Sequence, residues 1–303
     1  MPRILLTGAT GYIGRRVAEQ LTLRLPDCRI LTLNRDPAKA QQLMPWPQCT
    51  HAGARDAAAV QAFRPEVVLH LATLSTSRSD SAVIAPMLDA NIHYGVWLLD
   101  QLASLAASSD CGSSSPVTFV NVGSFAEYRL GPEAGLRDAY LYTATKSAFR
   151  HFVRFYADLT GMRVLTAVPY SVYGGRDTQK KLMDYMLDSM NAPEPVDMTA
   201  GEQVLDFVHV DDVVQFFVNV AKDPQALPEG EYHLGTGVGT RVRDLADMLS
   251  RLTGKPLHIR WGGRSYRPLD VMHAVAPHNP LLASFWTPRI TLETGLRRQL
   301  AQQ

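Results

Sequence analysis

Short apolar runs alternate with longer stretches of helical periodicity through the first half of the chain. The runs are rich in Val, Ile and Leu, as is typical of strands that a parallel sheet buries on both faces. Strands are predicted at residues 3–7, 29–34, 67–72, 117–122 and 163–169, and helices near residues 12–24, 37–44, 82–107 and 140–160. This alternation predicts an α/β fold with a Rossmann-type, doubly wound parallel sheet.

The pattern becomes looser in the second half of the chain. Residues 191–203 are rich in turn-forming residues, whereas residues 204–217 return to a strand and a helix, which we expect Asp211 or Asp212 to cap. The tail predicts a helix at 241–252, a strand near 257–261 and a last helix that begins near Thr291. We therefore expect a main domain of residues 1–169 and 204–235, and a smaller C-terminal lobe of residues 170–203 and 236–303.

Composition narrows the class of protein. The 30 Lys and Arg residues are balanced by 29 Asp and Glu residues, so no basic surface for nucleic acid is predicted. No run of eighteen apolar residues is present, and we expect a cytoplasmic protein with no membrane partner. The three cysteines, Cys28, Cys49 and Cys111, lack the spacing of metal ligands, so we expect free thiols and no metal site.

The segment ILLTGATGYIG, residues 4–14, places three glycines between a predicted strand and a predicted helix. Such glycines permit a tight turn, close approach to a pyrophosphate and close packing of helix on sheet, and the helix N-terminus offers free amides. The segment therefore predicts a dinucleotide site. Its expected contacts in this loop are Gly8, Thr10, Gly11, Tyr12, Ile13 and Gly14.

The end of the second strand bears on which dinucleotide is bound. Folds that prefer NAD usually have an acidic residue there for the ribose 2′-hydroxyl, whereas this chain has Asn34 and Arg35. A guanidinium suits a 2′-phosphate, so we predict that both residues contact the cofactor and that NADP(H) is preferred. NAD(H) stays open as the alternative, because Asp36 could supply the acidic group and leave Arg35 in solvent.

Seven motifs distributed along the chain resemble the extended short-chain dehydrogenase/reductase family, in its NAD-dependent epimerase/dehydratase group acting on nucleotide sugars. They are TGATGYIG at 7–14, VVLHLAT at 67–73, NVGSFAEY at 121–128, YTATK at 142–146, PYSVYG at 169–174, GEQVLDFVHVDDVV at 201–214 and YHLGTG at 232–237. The resemblance implies a nucleotide-sugar substrate in the C-terminal lobe and a homodimer formed through the helices at 82–107 and 140–160. It also implies further cofactor contacts from Leu71, Ala72, Thr73, Lys146 and Pro169.

Three residues are the candidates for catalysis. Tyr142 and Lys146 stand four apart on a predicted helix and so share a face. We expect the ammonium to lower the pKa of the phenol from about 10 and ready it for proton exchange. Ser124 matches the serine or threonine of the family that binds the substrate oxygen beside the tyrosine, so Ser124 and Tyr142 are also predicted substrate contacts. Tyr140 faces elsewhere on the helix.

Other polar residues receive weaker assignments. Ser171, Lys181 and Arg267 are candidate substrate contacts, Arg267 because YRPLD resembles a family position that contacts the substrate diphosphate; a solvated surface cation is the alternative for Lys181 and Arg267. His70, in a strand expected to be buried, is predicted to be a core histidine. Asn91 resembles a family asparagine that forms hydrogen bonds within the core.

The residues after Ser124 help to choose the reaction. Dehydratases of the family carry an Asp-Glu pair there, whereas this chain has Phe125 and Ala126. GEQVLDFVHVDDVV and YTATKSAF are similar to the CDP-abequose and CDP-paratose synthase branch, which reduces a 4-keto group on a deoxysugar nucleotide. We therefore predict an NADPH-dependent 4-ketoreductase with Tyr142 as proton donor.

Two alternatives stay open: a nucleotide-sugar 4-epimerase with tightly bound NAD, and a dinucleotide-sensing regulator without turnover. The chain also departs from the wider family in its nucleotide-binding positions. Leu205 stands in place of an arginine that often meets phosphate, and Ala54 in place of an acidic residue that commonly contacts adenine.

Overall fold

A seven-stranded sheet forms the centre of the molecule. The structure is a computed structural model that describes residues 1–108, 116–175 and 180–301. The strand order is β10-β6-β5-β4-β1-β2-β3, and every neighbouring pair is parallel. The strands are β1 Arg3–Thr7, β2 Arg29–Asn34, β3 Cys49–Gly53, β4 Val67–His70, β5 Thr118–Val122, β6 Arg163–Pro169 and β10 Gly230–Leu234. The predicted Rossmann-type fold is confirmed.

Helices cover both faces of this sheet. They are α1 Tyr12–Arg24, α2 Pro37–Leu43, α3 Ala57–Phe63, α4 Ser81–Leu88, α5 Tyr94–Ala107, α6 Leu141–Thr160 and α8 Val210–Lys222. Alternate strand residues face opposite sides: Ile4 and Leu6 join a core cluster with residues of α1 and α8, while Leu5 joins a second cluster with residues of α5 and α6. Burial on both faces explains why these strands read as continuous apolar runs.

Three elements of the main sheet region were not predicted: β3, α3 and β10. β3 has the sequence CTHAG, in which Cys49 alone is buried, and α3 is short. β3 lies at the edge of the sheet and pairs with β2 alone, so it lacks the apolar run that marks the interior strands.

The helix predicted at 82–107 is interrupted. A π-helical turn, Asp89–His93, separates α4 from α5, and such turns are frequent at functional sites. The stretch Ser81–Ala107 contains a window of 18 residues with a mean hydropathy of 1.2, so it is long and apolar enough to cross a membrane by length and composition. The core helix of a soluble protein passes the same test, and Leu98, Leu99 and Leu102 of α5 are packed in the second core cluster.

A smaller group of elements lies beyond the main sheet. β9 Val204–His209 pairs with β7 Ser171–Tyr173, β11 Gly239–Arg241 and β13 His273–Ala274, while β8 Val196–Met198 pairs with β12 Ile259–Trp261. The helices here are α7 Leu182–Ser189, α9 Val242–Thr253, α10 Pro280–Phe285 and α11 Leu292–Leu300. Within residues 204–235, β10 joins the main sheet and α8 packs with α1, whereas β9 joins the smaller sheet. The exact division into domains stays a prediction.

The helix caps differ in part from expectation. Thr291 caps α11 as predicted, accepting from the Thr294 amide. The cap of α8 is His209 rather than either aspartate, and its Nδ1 accepts from the Asp211 amide at 3.2 Å. The Asp212 carboxylate instead accepts from two backbone amides, those of Arg289 and Ile290, each at 3.0 Å. That carboxylate therefore anchors the C-terminal segment.

Cys28 and Cys49 are buried free thiols, as predicted. Cys111 lies outside the described residues. Within the described ranges, no group of three or more His, Cys, Asp or Glu side chains could hold a metal ion.

Candidate active site

Predicted site residues lie at the carboxyl ends of the strands of the main sheet, beyond β1, β4, β5 and β6. The strand order reverses between β1 and β4, and ligands of doubly wound sheets bind outside the carboxyl ends of the strands at such a point. Gly8 follows β1, the segment 71–75 follows β4, Ser124 follows β5, and Pro169 ends β6. The fold therefore gathers residues that are far apart in the chain.

The glycine loop has the geometry that its spacing predicts. Gly8 has a φ of +67°, and a Cβ there would lie 2.7 Å from the Ala72 nitrogen. A Cβ on Gly14 would lie 2.2 Å from the Gly8 oxygen, so neither position admits a side chain. Gly11 is the N-cap of α1 and has no side chain to cap the helix. A dinucleotide pyrophosphate fits this loop, because it can meet free helix amides with no Cβ in between.

The remaining loop residues surround the start of α1. Thr10 is exposed, while Tyr12 and Ile13 are half-buried in the first turn. The Tyr12 hydroxyl donates to the Gly174 oxygen, and the Lys181 ammonium lies 3.8 Å from the centre of the Tyr12 ring. Lys181, predicted as a substrate contact, is thus held against the glycine loop.

Three neighbouring polar residues at the end of β2 have different environments. The Asn34 side chain is buried and donates to the Thr32 oxygen and to Thr32 Oγ1. Asp36 caps α2 by accepting from the Lys39 amide at 2.9 Å. Arg35 is exposed, and it forms no ion pair or side-chain hydrogen bond with the rest of the described chain. Of the three, Arg35 is the one whose side chain is available to a ligand.

The segment after β4 is fastened to its surroundings by buried polar side chains. Thr7 Oγ1 lies 2.9 Å from His70 Nδ1 and accepts from the Ala72 amide at 3.1 Å. His70 is 1% exposed, and burial, followed by the charge of Lys146, lowers its pKa to about 3. His70 is therefore a neutral core histidine, as predicted.

Asn91 occupies the π-helical turn and forms hydrogen bonds within the core, as predicted. Its Oδ1 accepts from Thr73 Oγ1 at 3.0 Å and from the Leu74 amide at 2.7 Å. Its Nδ2 donates to the Leu74 oxygen and to Thr145 Oγ1. Asn91 thereby joins the segment after β4 to helix α6.

Tyr142 and Lys146 lie on α6, as predicted, but the expected effect on the phenol is wrong. Burial, followed by the negative charge of Glu127, raises the pKa of Tyr142 to about 12, although hydrogen bonds with Thr73 and Ser75 oppose the shift. Lys146 is not among the groups that lower this pKa. The prediction considered the neighbouring cation and neglected desolvation, which disfavours the phenolate in a buried site.

Lys146 is 3% exposed, and its ammonium is itself destabilised. Burial lowers its pKa to about 8, with the charge of Glu127 raising it and that of Arg150 lowering it.

Ser124 is half-buried at the start of a 3₁₀ turn, Phe125–Glu127, where its Oγ accepts from the Ala126 amide at 3.3 Å. The Ser124 hydroxyl proton can therefore be donated elsewhere.

Sequence reasoning missed Glu127 and Arg150. Glu127 is fully buried, and its Oε1 accepts from Arg150 Nε at 2.8 Å. A signal for Arg150 was present, since Tyr142, Lys146 and Arg150 recur every four residues along one helix face. A local signal for Glu127 was the Ser-x-x-Glu spacing from Ser124, which forms a capping box in the structure.

The C-terminal lobe reaches the segment after β4 through Arg267. Its guanidinium donates to Ser77 Oγ at 2.8 Å and lies 5.4 Å from the centre of the Tyr140 ring. The Tyr140 hydroxyl donates to Asp270 Oδ1 at 2.8 Å, so Tyr140 is engaged away from Tyr142. Ser171, also predicted as a substrate contact, is half-buried in β7 opposite Phe207 of β9.

Comparisons with known proteins show the family of this chain. A family model described as "NAD dependent epimerase/dehydratase family" matches residues 4–235. CDP-abequose synthase of Salmonella typhimurium is 25% identical over 98% of this chain and 97% of its own length. The dTDP-L-rhamnose 4-epimerase of Burkholderia thailandensis is 25% identical over 97% of this chain and 93% of its own length.

Solved structures show the same fold. UDP-glucuronic acid 4-epimerase from Bacillus cereus, in complex with UDP-glucuronic acid and NAD, has a TM-score of 0.83 at 18% identity, with 98% of each chain covered. MoeE5 in complex with UDP-glucose and NAD has a TM-score of 0.80 at 22% identity, covering 98% of this chain and 97% of its own.

Proposed function

Because the chain belongs to the NAD dependent epimerase/dehydratase family, we propose that it uses NADPH to reduce the 4-keto group of a deoxy nucleotide sugar. The similarity to CDP-abequose synthase over nearly the full length of both chains supports a reaction on a nucleotide sugar. Phe125 and Ala126, in place of the Asp-Glu pair of dehydratases, argue against dehydration.

The state of Arg35 and Asp36 is the observation that carries the proposal. Asp36 is occupied as the cap of α2, whereas the exposed Arg35 guanidinium is available for a 2′-phosphate. A net reductase must exchange its oxidised cofactor after each turnover and draws on NADPH. An epimerase retains one NAD through its cycle. A free cation at this position therefore favours the reductase.

The residues of the site can perform a reduction. The glycine loop would hold a reduced nicotinamide dinucleotide, which would supply the hydride for C4. Ser124 orients the carbonyl oxygen and stabilises its developing negative charge by donating a hydrogen bond. Tyr142, with a pKa of about 12, is protonated at neutral pH and gives its proton to that oxygen. Lys146 holds a positive charge beside the forming alkoxide and binds the nicotinamide ribose.

The C-terminal lobe provides cations for the substrate diphosphate. Arg267 and Lys181 reach towards the loop after β4 and the glycine loop respectively, and Ser171 lies in β7, which pairs with β9 of the smaller sheet. We assign the nucleotide part of the substrate to this lobe. The adenine and pyrophosphate of the cofactor belong to the main domain.

The proposed enzyme acts as a homodimer in the cytoplasm. Large apolar side chains are exposed on α4 and α6, among them Ile84, Leu88, Phe152, Phe155 and Leu159. An exposed apolar face of this kind marks a protein contact, and it lies on the two helical regions through which the resemblance implies dimerisation.

The experiment that tests the function follows the absorbance of the reduced nicotinamide during incubation with a panel of 4-keto-6-deoxy sugar nucleotides. The proposal expects NADPH to be consumed with at least one of them, NADH to serve less well, and Tyr142→Phe to abolish turnover. Failure of every keto-sugar to oxidise NADPH would overturn the proposal and favour the sensing regulator.

A nucleotide-sugar 4-epimerase is the second candidate. It is favoured by the similarity to dTDP-L-rhamnose 4-epimerase and by the NAD found in structures of the same fold. An epimerase would purify with bound NAD and interconvert C4 epimers with no added reductant. Epimerised product in the absence of NADPH would therefore replace the reductase.

A further inference from the structure

A fully buried carboxylate lies directly behind the candidate serine. Glu127 is 0% exposed and ends the 3₁₀ turn that begins after Ser124. Its Oε2 accepts from the backbone amide of Ser124 at 2.5 Å, and its Oε1 accepts from Arg150 Nε at 2.8 Å. Ser147 Oγ lies 3.3 Å from the same Oε1 and has its shorter hydrogen bond, 2.8 Å, with Asp138 Oδ1. The carboxylate thus joins the Ser124 backbone to two residues of α6, the helix that carries Tyr142 and Lys146.

The backbone beside Ser124 is shaped to admit this ion pair. A Cβ on Gly123 would lie 2.6 Å from Glu127 Oε2 and 2.7 Å from an Arg150 terminal nitrogen. The carboxylate and guanidinium therefore pack against bare backbone at the end of β5. Any side chain at position 123 would displace them, so the pair and the Ser124 turn pack together as one unit.

The charges around this unit are balanced across four side chains. Arg150 also pairs with Glu231, and the Glu231 carboxylate accepts from the Tyr128 hydroxyl and contacts His233. Lys146 is buried one helical turn before Arg150. Two carboxylates, Glu127 and Glu231, therefore accompany two cations, Arg150 and Lys146. A buried ion pair contributes little net stability, although removal of one partner alone leaves the other charge unpaired.

We propose that Glu127 is a positioning residue of the active site, which fixes the Ser124 backbone against Arg150 of α6, the helix that carries Tyr142 and Lys146. This inference rests on the proposed function for the roles of Ser124 and Lys146. Its geometric basis is the hydrogen bond to the Ser124 amide and the link to α6.

Electrostatics agrees with this assignment. The groups whose charge acts on Lys146 are Glu127 from the 3₁₀ turn and Arg150 from α6; His70 of β4, which Lys146 acts on, is neutral. Glu127 alone among them raises the pKa of Lys146, opposing burial and Arg150. Removal of this charge should lower the fraction of molecules in which Lys146 is protonated near neutral pH.

The test compares Glu127→Gln with Glu231→Gln. Both variants neutralise a carboxylate bonded to Arg150, but Glu231 neither contacts Ser124 nor is among the groups that act on Lys146. Lysines labelled with ¹³C at Cε are titrated by NMR, with the Lys146 signal identified by its loss in Lys146→Met. We expect Glu127→Gln to lower the pKa of Lys146 and Glu231→Gln to leave it in place.

Kinetics supply the second measurement. Glu127→Gln should lower kcat about tenfold or more, because the Ser124 backbone loses its support. The KM for NADPH should change little, because the substitution leaves the glycine loop intact. Glu231→Gln should change both parameters less than about threefold. An unchanged Lys146 pKa in Glu127→Gln, or equal losses in the two variants, would show a merely structural carboxylate and overturn the proposal.

A shorter carboxylate at position 127 separates the charge of Glu127 from its reach. Glu127→Asp retains the charge, but its side chain is too short to reach both the Ser124 amide and Arg150. This variant should therefore preserve the Lys146 pKa and still reduce kcat. Full kcat in Glu127→Asp would contradict a positioning role even if Glu127→Gln does not fold. The NMR titration needs no turnover. A wild-type chain without reductase activity would refute the proposed function while leaving the Lys146 measurement interpretable.

Discussion

Asn91 Nδ2 donates to Thr145 Oγ1 at 2.9 Å, across the gap between the π-helical turn and α6. The other half of the same amide accepts from the Leu74 backbone. The side chain therefore sets the distance between the segment after β4, whose Thr73 and Ser75 bond Tyr142, and the helix on which Tyr142 lies.

Replacement of Asn91 by Ala should affect both stability and rate. The variant leaves buried donors and acceptors unpaired, at about 3 kcal/mol of unfolding free energy, and loosens the segment that bonds Tyr142. Urea unfolding and kcat measure the two effects. Asn219→Ala, which removes a side-chain amide of α8 that donates to the Phe285 oxygen and accepts from Gln215 Nε2, is the control and should lower stability without a comparable loss of kcat. Full kcat in Asn91→Ala would contradict the assigned role.

Replacement of Arg35 by Ala should raise the KM for NADPH about tenfold or more and leave the KM for NADH nearly unchanged. A charged hydrogen bond to the 2′-phosphate is worth about 2 kcal/mol, and NADH has no phosphate there. Lys39→Ala removes another exposed cation from the same region and should leave both constants near wild type. Equal effects of Arg35→Ala on the two cofactors would exclude a 2′-phosphate contact.

Replacement of Gly14 by Ala should abolish cofactor binding and lower stability by about 2 kcal/mol or more, since the new Cβ would lie 2.2 Å from the Gly8 oxygen. Binding is measured by the fluorescence of the reduced nicotinamide and stability by thermal unfolding. Gly53→Ala is the matched control: its Cβ would meet Asp56 at 3.9 Å, an ordinary contact. Tight NADPH binding by Gly14→Ala would refute the assigned loop geometry.

The pH dependence of reduction should follow Lys146. Its pKa of about 8 means that the ammonium is charged at neutral pH and loses its proton as the pH rises through about 8. Tyr142 remains protonated until about pH 12, so the charge of Lys146 limits the alkaline side. We expect kcat/KM to fall above about pH 8, and Lys146→Arg, which stays charged, to lose this limb. A flat profile to about pH 10 would contradict the role of the ammonium.

His70 should make the protein sensitive to acid. Burial lowers its pKa from 6.5 to about 3, so the unfolded chain binds a proton in this interval while the folded chain does not. Stability contributed by the neutral imidazole is therefore present above about pH 6.5 and is lost as the pH falls towards about 3. His70→Gln does not titrate, and its unfolding free energy should decline less steeply between those pH values. Parallel declines in the two proteins would assign the acid sensitivity to other groups.

Local patterns in the sequence determined the main elements of the fold. The interior strands are apolar because the sheet buries both of their faces, and β1, β2 and β6 lie at the residues that this pattern predicts. The glycine spacing likewise determined the dinucleotide loop, because the conformation of Gly8 and the crowding at Gly14 are local demands. The four-residue spacing of Tyr142 and Lys146 placed both on α6.

Only the tertiary structure decided the properties that depend on contacts between distant segments. β3 is a strand because β2 offers it an edge to pair with. Glu127 matters because the fold brings Arg150 to it from twenty-three residues away. The raised pKa of Tyr142 follows from desolvation and from the charge of Glu127. Burial and long-range electrostatics arise from packing, and no pattern of neighbouring residues encodes their magnitude.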